Sequence, residues 1–262
     1  MGEAKRRGSR VQRISSAQQQ ESDDKKEFDR VSEFLGKGVK LEADVWERGQ
    51  KIREEAKKNY RREWLDARLT LLSIAQHIFL AKNLIPGKTS ESVSHILTLL
   101  MAFYQGTHAT ETLISEGQYI KAAAALKQDY EIIARIYEVR AGTAKPGQTP
   151  QVRHLAKEVR GYYGELNKVA HPSNQEMLEN LMSTLSLGES QAISHIPSYN
   201  KQYSQGLYEL HVWLIYMIVQ QHLRLFVEIY GEGEPAIKEV GMWFLGSVDL
   251  LKTAGFKFDL EE

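Results

Sequence analysis

The apolar residues of this 262-residue chain recur every three to four positions, and no convincing run of alternating apolar and polar residues interrupts them. This spacing is the period of an α-helix with one buried face, whereas a half-buried strand would alternate. All six prolines lie at predicted breaks. The pattern therefore predicts an all-α protein, with helices over 22–35, 41–84, 90–115, 118–141, 151–171, 174–187, 199–230 and 236–251.

The density of apolar residues along the chain predicts three regions. Residues 1–21 hold basic residues among Gln, Ser and Gly, so we expect a disordered basic tail that cannot offset its ordering entropy. This tail either contacts RNA or another polyanion or is a solvated terminus. Residues 22–65 combine charges of both signs with sparse apolar positions, which indicates a charged helical arm. Residues 66–262 carry enough apolar residues for a helical bundle domain.

The predicted arm carries a narrow apolar stripe within a run dense in charges. The stripe consists of Trp46, Ile52, Tyr60 and Trp64. Such a pattern is typical of a helix that contacts one partner along a seam. Large aromatic residues on a solvated arm favour an interface, so we expect a homodimer, or a protein partner that docks on residues 40–65. The alternative is that the arm folds back on its own bundle.

Composition narrows the function classes. Lys plus Arg and Asp plus Glu both number 34, so the net charge is zero. A neutral chain is not expected to coat nucleic acid along its whole length, but a local RNA site stays open. There is no cysteine, which excludes disulfides and fits a reducing compartment. The charged N-terminus does not resemble a secretory signal, and the apolar run 212–219 is too short to cross a membrane. We therefore expect a cytoplasmic protein without membrane contacts.

Common chemical signatures are missing from the sequence. It contains no Glu-x-x-His and no two histidines four residues apart, so neither the usual di-iron site of a bundle nor a zincin-type site is expected. The glycine patterns of P-loop, dinucleotide-binding and serine-hydrolase folds are missing as well. The sequence thus predicts no metal and no cofactor, although distant residues can still assemble a metal site.

One constellation of polar residues stands out on the predicted helix 151–171. It consists of Arg160, Gly164, Asn167 and His171, with Tyr163 and Lys168 at its borders. The four residues are four, three and four positions apart, which places them on one stripe of a helix. A bundle helix would normally carry Leu or Ile there, and Gly164 leaves room for another backbone or a ligand to approach. The stripe is therefore the candidate site.

His171 has two interpretations. It precedes Pro172 in the last turn of the predicted helix, where the negative helix end favours the protonated imidazole. A histidine in this position can act as an acid or a base near neutral pH. Alternatively, it caps the helix by donating a hydrogen bond to a free carbonyl group.

The segment Asn167-Lys-Val-Ala-His171-Pro172 resembles the Arg-Asn-x-x-x-His signature of the HEPN superfamily, the higher eukaryotes and prokaryotes nucleotide-binding domains. Segments 116–131 and 162–173 are also similar to uncharacterised bacterial helical proteins related to abortive-infection factors. The resemblance implies a compact helical bundle, often dimeric, and a family in which many members are metal-independent ribonucleases. It also implies a role as a toxin or in defence against phage.

This chain departs from the family at the catalytic arginine. The positions that should carry it hold Gly164, Glu165 and Leu166, while Asn167 and His171 match. Arg160 lies on the same predicted face, roughly 16 Å from His171 along the helix axis. A partner subunit could supply an arginine, or Lys168 could replace it. More simply, the chain is an inactive relative that binds something.

Three functions follow from these observations. The first is a HEPN-like, non-catalytic binding or interaction module in a bacterial defence or toxin–antitoxin context, with RNA among its possible partners. The second is a metal-independent ribonuclease with an altered active site that uses His171, Asn167 and Arg160. The third is a helical scaffold protein whose charged arm docks a partner helix.

Overall fold

The computed structural model describes residues 2–82, 89–155, 157–170, 175–182, 184–187 and 190–256. Eight α-helices, one 3₁₀ helix and two short strands account for most of this part of the chain. They are α1 (Gly2–Asn59), α2 (Arg62–Ala81), α3 (Glu91–Ser115), α4 (Tyr119–Arg140), the 3₁₀ helix (Val152–His154), α5 (Lys157–Ala170), α6 (Gln175–Leu181), β1 (Thr184–Leu187), β2 (Ser190–Ile193), α7 (Lys201–Tyr230) and α8 (Pro235–Thr253). The protein is an all-α helical bundle, as the apolar spacing predicts.

The chain divides into two compact units, Met1–Glu47 and Arg48–Glu262. The first unit is helical where the sequence predicts a disordered tail over 1–21 and a break at Gly36 and Gly38. Glycine inside a helix costs only about 1 kcal/mol, and the surrounding Glu, Gln, Lys and Arg residues are good helix formers. Local pairs add support, such as the 3.3 Å ion pair between Lys37 and Glu33.

In the second unit, the break between α1 and α2 falls at Tyr60 and Arg61, whereas the apolar spacing predicts one long helix over 41–84 or two helices joined near Gly49. Gly49 is buried, and a Cβ atom there would lie 3.2 Å from Glu116 Oε2, so this glycine permits close packing inside a continuous helix. The chain turns where the Arg61 backbone is extended. The Tyr60 ring stacks on Tyr208 at 4.0 Å, which fixes the turn against α7.

The apolar stripe predicted for an interface is largely internal to the second unit. Ile52, Tyr60 and Trp64 are 1%, 7% and 3% exposed and contribute to its core. Of the predicted seam, only Trp46, in the first unit, is exposed, at 68%. In the structure, residues 48–65 of the predicted arm belong to the same compact unit as the predicted bundle over 66–262. The alternative that the arm folds back on its own bundle is correct for residues 48–65.

The core of the bundle is built around α7, which contacts α2, α3 and α4. The run 212–219 is buried on all sides, which is why it reads as continuously apolar. On the side of α7 that faces α8, aromatic rings stack on each other. The ring centroids of Trp213 and Phe256 are 3.8 Å apart, and those of Tyr216 and Phe244 are 5.3 Å apart. By length and composition α7 could cross a membrane, but 72% of its apolar window is buried inside the bundle, as a central core helix requires.

The helix boundaries elsewhere follow local chemistry. The Ser90 side chain accepts a hydrogen bond from the Val93 backbone N–H and is the N-cap of α3, at the start of the predicted helix 90–115. The Asn200 side chain caps α7 in the same way, through the Tyr203 N–H. Gly231, with a φ of 93°, follows the last turn of α7. At such a φ a side chain would be strained, so glycine is required there.

The predicted helix 174–187 is wrong beyond Leu181. Thr184–Leu187 and Ser190–Ile193 instead form an antiparallel hairpin in which Thr184 pairs with Ile193 and Leu187 with Ser190. A strand of four residues is too short for its alternation to be distinguished from one turn of an amphipathic helix.

Candidate functional site

The candidate stripe lies on α5, which packs against α4. Leu166 and Val169, at 5% and 7% exposure, form the buried face of α5. Arg160, Gly164 and Lys168 are exposed. The polar stripe is therefore the exposed side of α5, and the expectation that a bundle helix would carry Leu or Ile at these positions is wrong. α5 begins at Lys157, whereas the sequence predicts a helix from residue 151.

Asn167 and Gly164 define the centre of this surface. Asn167 is half-buried, at the border between the packed and the exposed sides of α5. A Cβ atom at Gly164 would meet nothing within 4 Å. No protein group thus fills the space beside Gly164 in the part of the chain that the structure describes, so a ligand can approach the helix backbone there.

Tyr163 differs from the other residues predicted to bind, because it faces α4. Its hydroxyl donates to Glu131 Oε1 at 2.8 Å, and the Lys127 Nζ lies 2.8 Å from the same oxygen. Lys127 also lies 5.8 Å from the centroid of the Tyr163 ring. Burial, then the bond to the Glu131 carboxylate and its charge, raise the pKa of Tyr163 to about 12. Tyr163 thus positions α5 and is not part of the exposed surface.

Lys168 is available to a partner at little cost. Its Nζ lies 2.7 Å from Glu165 Oε1, and both side chains are more than half exposed. An exposed ion pair of this kind contributes at most about 1 kcal/mol. A phosphate or carboxylate group could therefore replace Glu165 as the partner of Lys168.

His171, the residue predicted to act as acid, base or helix cap, lies outside the described residues, and α5 ends at Ala170. Its proposed roles stay predictions. The structure places Arg160 and Asn167 on the same helix, seven residues apart, or roughly 10 Å along the axis. Arg160 is therefore not beside Asn167, and a single small ligand would not contact both groups closely.

Sequence reasoning missed a polar cluster inside the bundle. His211 is completely buried, and neither ring nitrogen has a hydrogen-bond partner among the described residues. Burial, and after it the charge of Arg68, lower the pKa of His211 to about 3. The backbone of Thr107 faces the ring and favours its charged form, yet neither nitrogen reaches hydrogen-bond geometry. His211 is thus neutral and is a poor acid or base near neutral pH.

Two tyrosine hydroxyl groups, on side chains that are at most 7% exposed, also form hydrogen bonds. The Tyr60 and Ser204 hydroxyls are 3.1 Å apart, and the Tyr119 hydroxyl accepts from the Asn200 backbone N–H at 2.9 Å. The signal that could have located this cluster is the occurrence of polar residues at core-facing positions of α7. No pattern of spacing separates such residues from those on a solvated face.

Within the described ranges, no group of three His, Asp or Glu side chains lies close enough together to hold a metal ion. Comparison with protein-family models, curated proteins and solved structures finds no match for this chain. The α5 surface therefore has to be interpreted from its own chemistry: two exposed cationic side chains, an amide and an open patch of backbone.

Proposed function

We propose that this protein is a non-catalytic, HEPN-like binding module that contacts single-stranded RNA through the exposed face of α5. The observation that supports this best is the shared orientation of Arg160, Gly164, Asn167 and Lys168. At 3.6 residues per turn they fall within about 100° of arc on one helix, and three of the four are exposed. Cationic groups neutralise phosphates, and an amide beside open backbone can hydrogen-bond a base or sugar.

The proposed binding is local because the chain as a whole is neutral. Two cations make few phosphate contacts, so we expect weak binding with a shallow salt dependence. Each phosphate contact on a single strand contributes about 0.7 to the slope of log K against log salt concentration. Loss of both cations should therefore reduce that slope by about 1.4.

The test is fluorescence anisotropy with a labelled single-stranded RNA at low salt, in the presence of EDTA. The double variant Arg160→Ala/Lys168→Ala should bind at least about tenfold more weakly and show the shallower slope. The matched control is Arg62→Ala/Lys121→Ala, which removes two exposed cations from α2 and α4. Equal losses in the two double variants would mean that RNA contacts the surface without preference, and the proposal would fail.

The ribonuclease alternative is decided in the same samples. Electrophoresis of the RNA after incubation shows whether it stays intact. We expect intact RNA, because the positions that should carry the family's catalytic arginine hold Gly164, Glu165 and Leu166. Cleavage in EDTA that is lost in His171→Ala would replace the proposal with a metal-independent ribonuclease.

We also propose that the protein forms a homodimer through the first unit. Its exposed apolar residues include Phe28, Val31 and Leu35, at 70%, 49% and 62% exposure. Their spacing of three and four residues is that of a coiled-coil seam. Solvent-exposed apolar side chains in such a row favour association with a second copy. Docking of a different protein on residues 40–47, as a scaffold would require, is the alternative.

The cellular setting is part of the proposal and rests on the resemblance and on composition. A cysteine-free chain fits the cytoplasm. The likeness of segments 116–131 and 162–173 to proteins related to abortive-infection factors favours bacterial defence or a toxin–antitoxin pair. A genomic neighbour that encodes an antitoxin or a nucleotidyltransferase would support this setting.

A further inference from the structure

The bundle contains a cavity of about 240 Å³ between α2, α3 and α7, which is partly open to solvent, and none of its lining residues belongs to α5. Its walls are mainly aliphatic and aromatic, with Ile78, Leu97, Met101, Leu225, Phe226 and Ile229 among them. A dry apolar cavity of about 150 Å³ is enough to hold benzene. This cavity therefore has room for a molecule of about ten non-hydrogen atoms.

His222 supplies a polar group in this wall. Its Nδ1 atom lies 3.3 Å from the Tyr104 hydroxyl oxygen, and its ring packs on Phe79 with centroids 4.4 Å apart. Burial lowers the pKa of His222 to about 4 and raises the pKa of Tyr104. At neutral pH the imidazole is therefore neutral, and only one of its two nitrogens carries a proton.

The Tyr104 hydroxyl determines which nitrogen that is. Among the described residues its only hydrogen-bond partner is His222 Nδ1. If Nδ1 carried the proton, the tyrosine O–H would be left without an acceptor in the interior, which is costly. We therefore assign the O–H as the donor and Nδ1 as the acceptor. The proton of His222 then resides on Nε2, and no group in the described part of the chain accepts it.

The positive charge of Lys82, at the edge of the cavity, is already balanced by a carboxylate. Lys82, which lines the cavity, lies 3.0 Å from Glu234 and 5.5 Å from the centroid of the Tyr230 ring. A ligand carboxylate would gain Lys82 only by competing with Glu234, which would repel it. A neutral ligand avoids this cost and fits the apolar wall.

We propose that this cavity binds a small neutral molecule with an aromatic or short aliphatic body and one hydrogen-bond acceptor, which accepts from His222 Nε2–H. The apolar wall supplies most of the affinity through burial, and the single donor selects the orientation. Most ligand pockets are built in this way, from an apolar lining and a few placed polar groups.

The experiment uses a matched pair of probes, acetophenone and isopropylbenzene, with the full chain in isothermal titration calorimetry or ligand-observed NMR. The two molecules have the same number of non-hydrogen atoms, and only acetophenone has an acceptor. Both should bind the wild-type protein. His222→Phe should weaken acetophenone binding about fivefold, the contribution of one neutral hydrogen bond, and leave isopropylbenzene within about twofold. Benzoate, which carries a charge, should not bind.

A second variant tests the location. Met101→Trp should fill the cavity and abolish binding of both probes, whereas Met242→Trp, at a residue 76% exposed on α8, should leave both affinities unchanged. Circular dichroism melts establish that each variant is folded. If His222→Phe does not fold, Tyr104→Phe replaces it. Without the Tyr104 hydroxyl the His222 proton is no longer held on Nε2, so acetophenone binding should also weaken selectively. Failure of either probe to bind, or binding that is insensitive to Met101→Trp, would overturn the proposal.

Discussion

Two stretches of α1 carry the same kind of apolar pattern and meet opposite environments. In the first unit, Phe34 and Trp46 are 73% and 68% exposed. In the second, Ile52 and Ala56 are 1% and 0% exposed. Both stretches lie in one helix and both are rich in charged residues. Apolar spacing therefore identifies a helix and its apolar face. It does not show whether that face is covered by another part of the same chain.

Long-range polar contacts distinguish the second stretch from the first. Arg53 donates to Ser115 Oγ at 3.1 Å and to Thr112 Oγ1 at 2.7 Å, and Gln50 donates to Glu116 at 3.1 Å. These bonds fix residues 50–53 to the end of α3. In the first stretch, pairs such as Lys26–Asp23 are three residues apart and stabilise only the helix itself.

The largest expected difference between the two stretches is in the free energy of unfolding of tryptophan variants. Trp64 is 3% exposed and packs edge-on against Phe256 at 6.4 Å, so Trp64→Ala should cost about 3–5 kcal/mol. Trp46→Ala removes the same side chain from an exposed position and should change stability by less than about 0.5 kcal/mol. Urea unfolding at low protein concentration measures both. Similar losses would show that Trp46 is buried in solution.

A buried carboxyl group should make the stability of the second unit depend on pH. Asp129 is 5% exposed, and burial, partly offset by a 3.5 Å bond from Thr110, raises its pKa to about 7. The folded protein then holds a proton that the unfolded chain releases near pH 4. The contribution of Asp129 to stability should therefore fall as pH rises from about 4 to 7 and become constant above that. His211 and His222, whose pKa values burial lowers, contribute in the opposite direction below about pH 6.5, so a variant of Asp129 is needed to isolate its effect.

The variant Asp129→Asn cannot ionise, so it should be more stable than wild type at pH 8 by on the order of 2–4 kcal/mol, with the gain disappearing near pH 4. The matched control is Asp44→Asn, which changes an exposed carboxylate in the first unit. Unfolding curves recorded across this range provide the measurement. A gain that is equal at pH 4 and pH 8 would refute a role for ionisation.

The proposed dimer can be broken at the exposed stripe. Leu35→Glu places a charge in the middle of that stripe, and it should raise the dimer dissociation constant at least about tenfold, or about 1.4 kcal/mol. Arg30→Gln changes the net charge by the same amount about 140° around the helix and should leave the dimer intact. Light scattering at micromolar concentration measures the mass of both variants. A wild-type mass of 29.9 kDa, the monomer value, would contradict the proposal.

The smallest expected effect is on the stability of two glycine-to-alanine variants, which should change in opposite directions. Gly36 lies in α1, where an added Cβ atom would have no neighbour within 4 Å, so Gly36→Ala should stabilise the helix by about 0.5–1 kcal/mol. Gly117 has a φ of 79°, and a Cβ atom there would lie 2.9 Å from the Ser198 carbonyl oxygen. Gly117→Ala should therefore cost at least about 1 kcal/mol. Melting temperatures decide it, and a loss in Gly36→Ala would mean that α1 is not continuous at this point.

The fold could be predicted to the extent that local chemistry determines it. Residues 90–115 were predictable to the residue because Ser90 caps the helix and Gly117 follows it in a conformation that favours glycine. The turn at Arg61 and the hairpin at 184–193 were not. The first depends on the stacking of Tyr60 on Tyr208, which are 148 positions apart, and the second on a pattern too short to interpret.

The candidate site divides in the same way. Spacing alone placed Arg160, Gly164 and Lys168 on one face of a helix, and that face is exposed. It also grouped Tyr163 with them, although Tyr163 donates to Glu131 of α4. Helix periodicity gives the angle of a side chain around its own axis, but the position of the neighbouring helix determines which angles are buried.

The sequence by itself determined that the chain is helical, which residues of each helix share a face, and, within two residues, where α3, α4, α7 and α8 begin and end. These properties depend on hydrogen bonds and side-chain contacts between residues only a few positions apart. Only the tertiary structure decided that residues 48–65 belong to the bundle, that Tyr104 sets the tautomer of His222, and that a cavity lies beside that ring. Those properties depend on residues far apart in sequence, whose approach is selected by packing of the whole core.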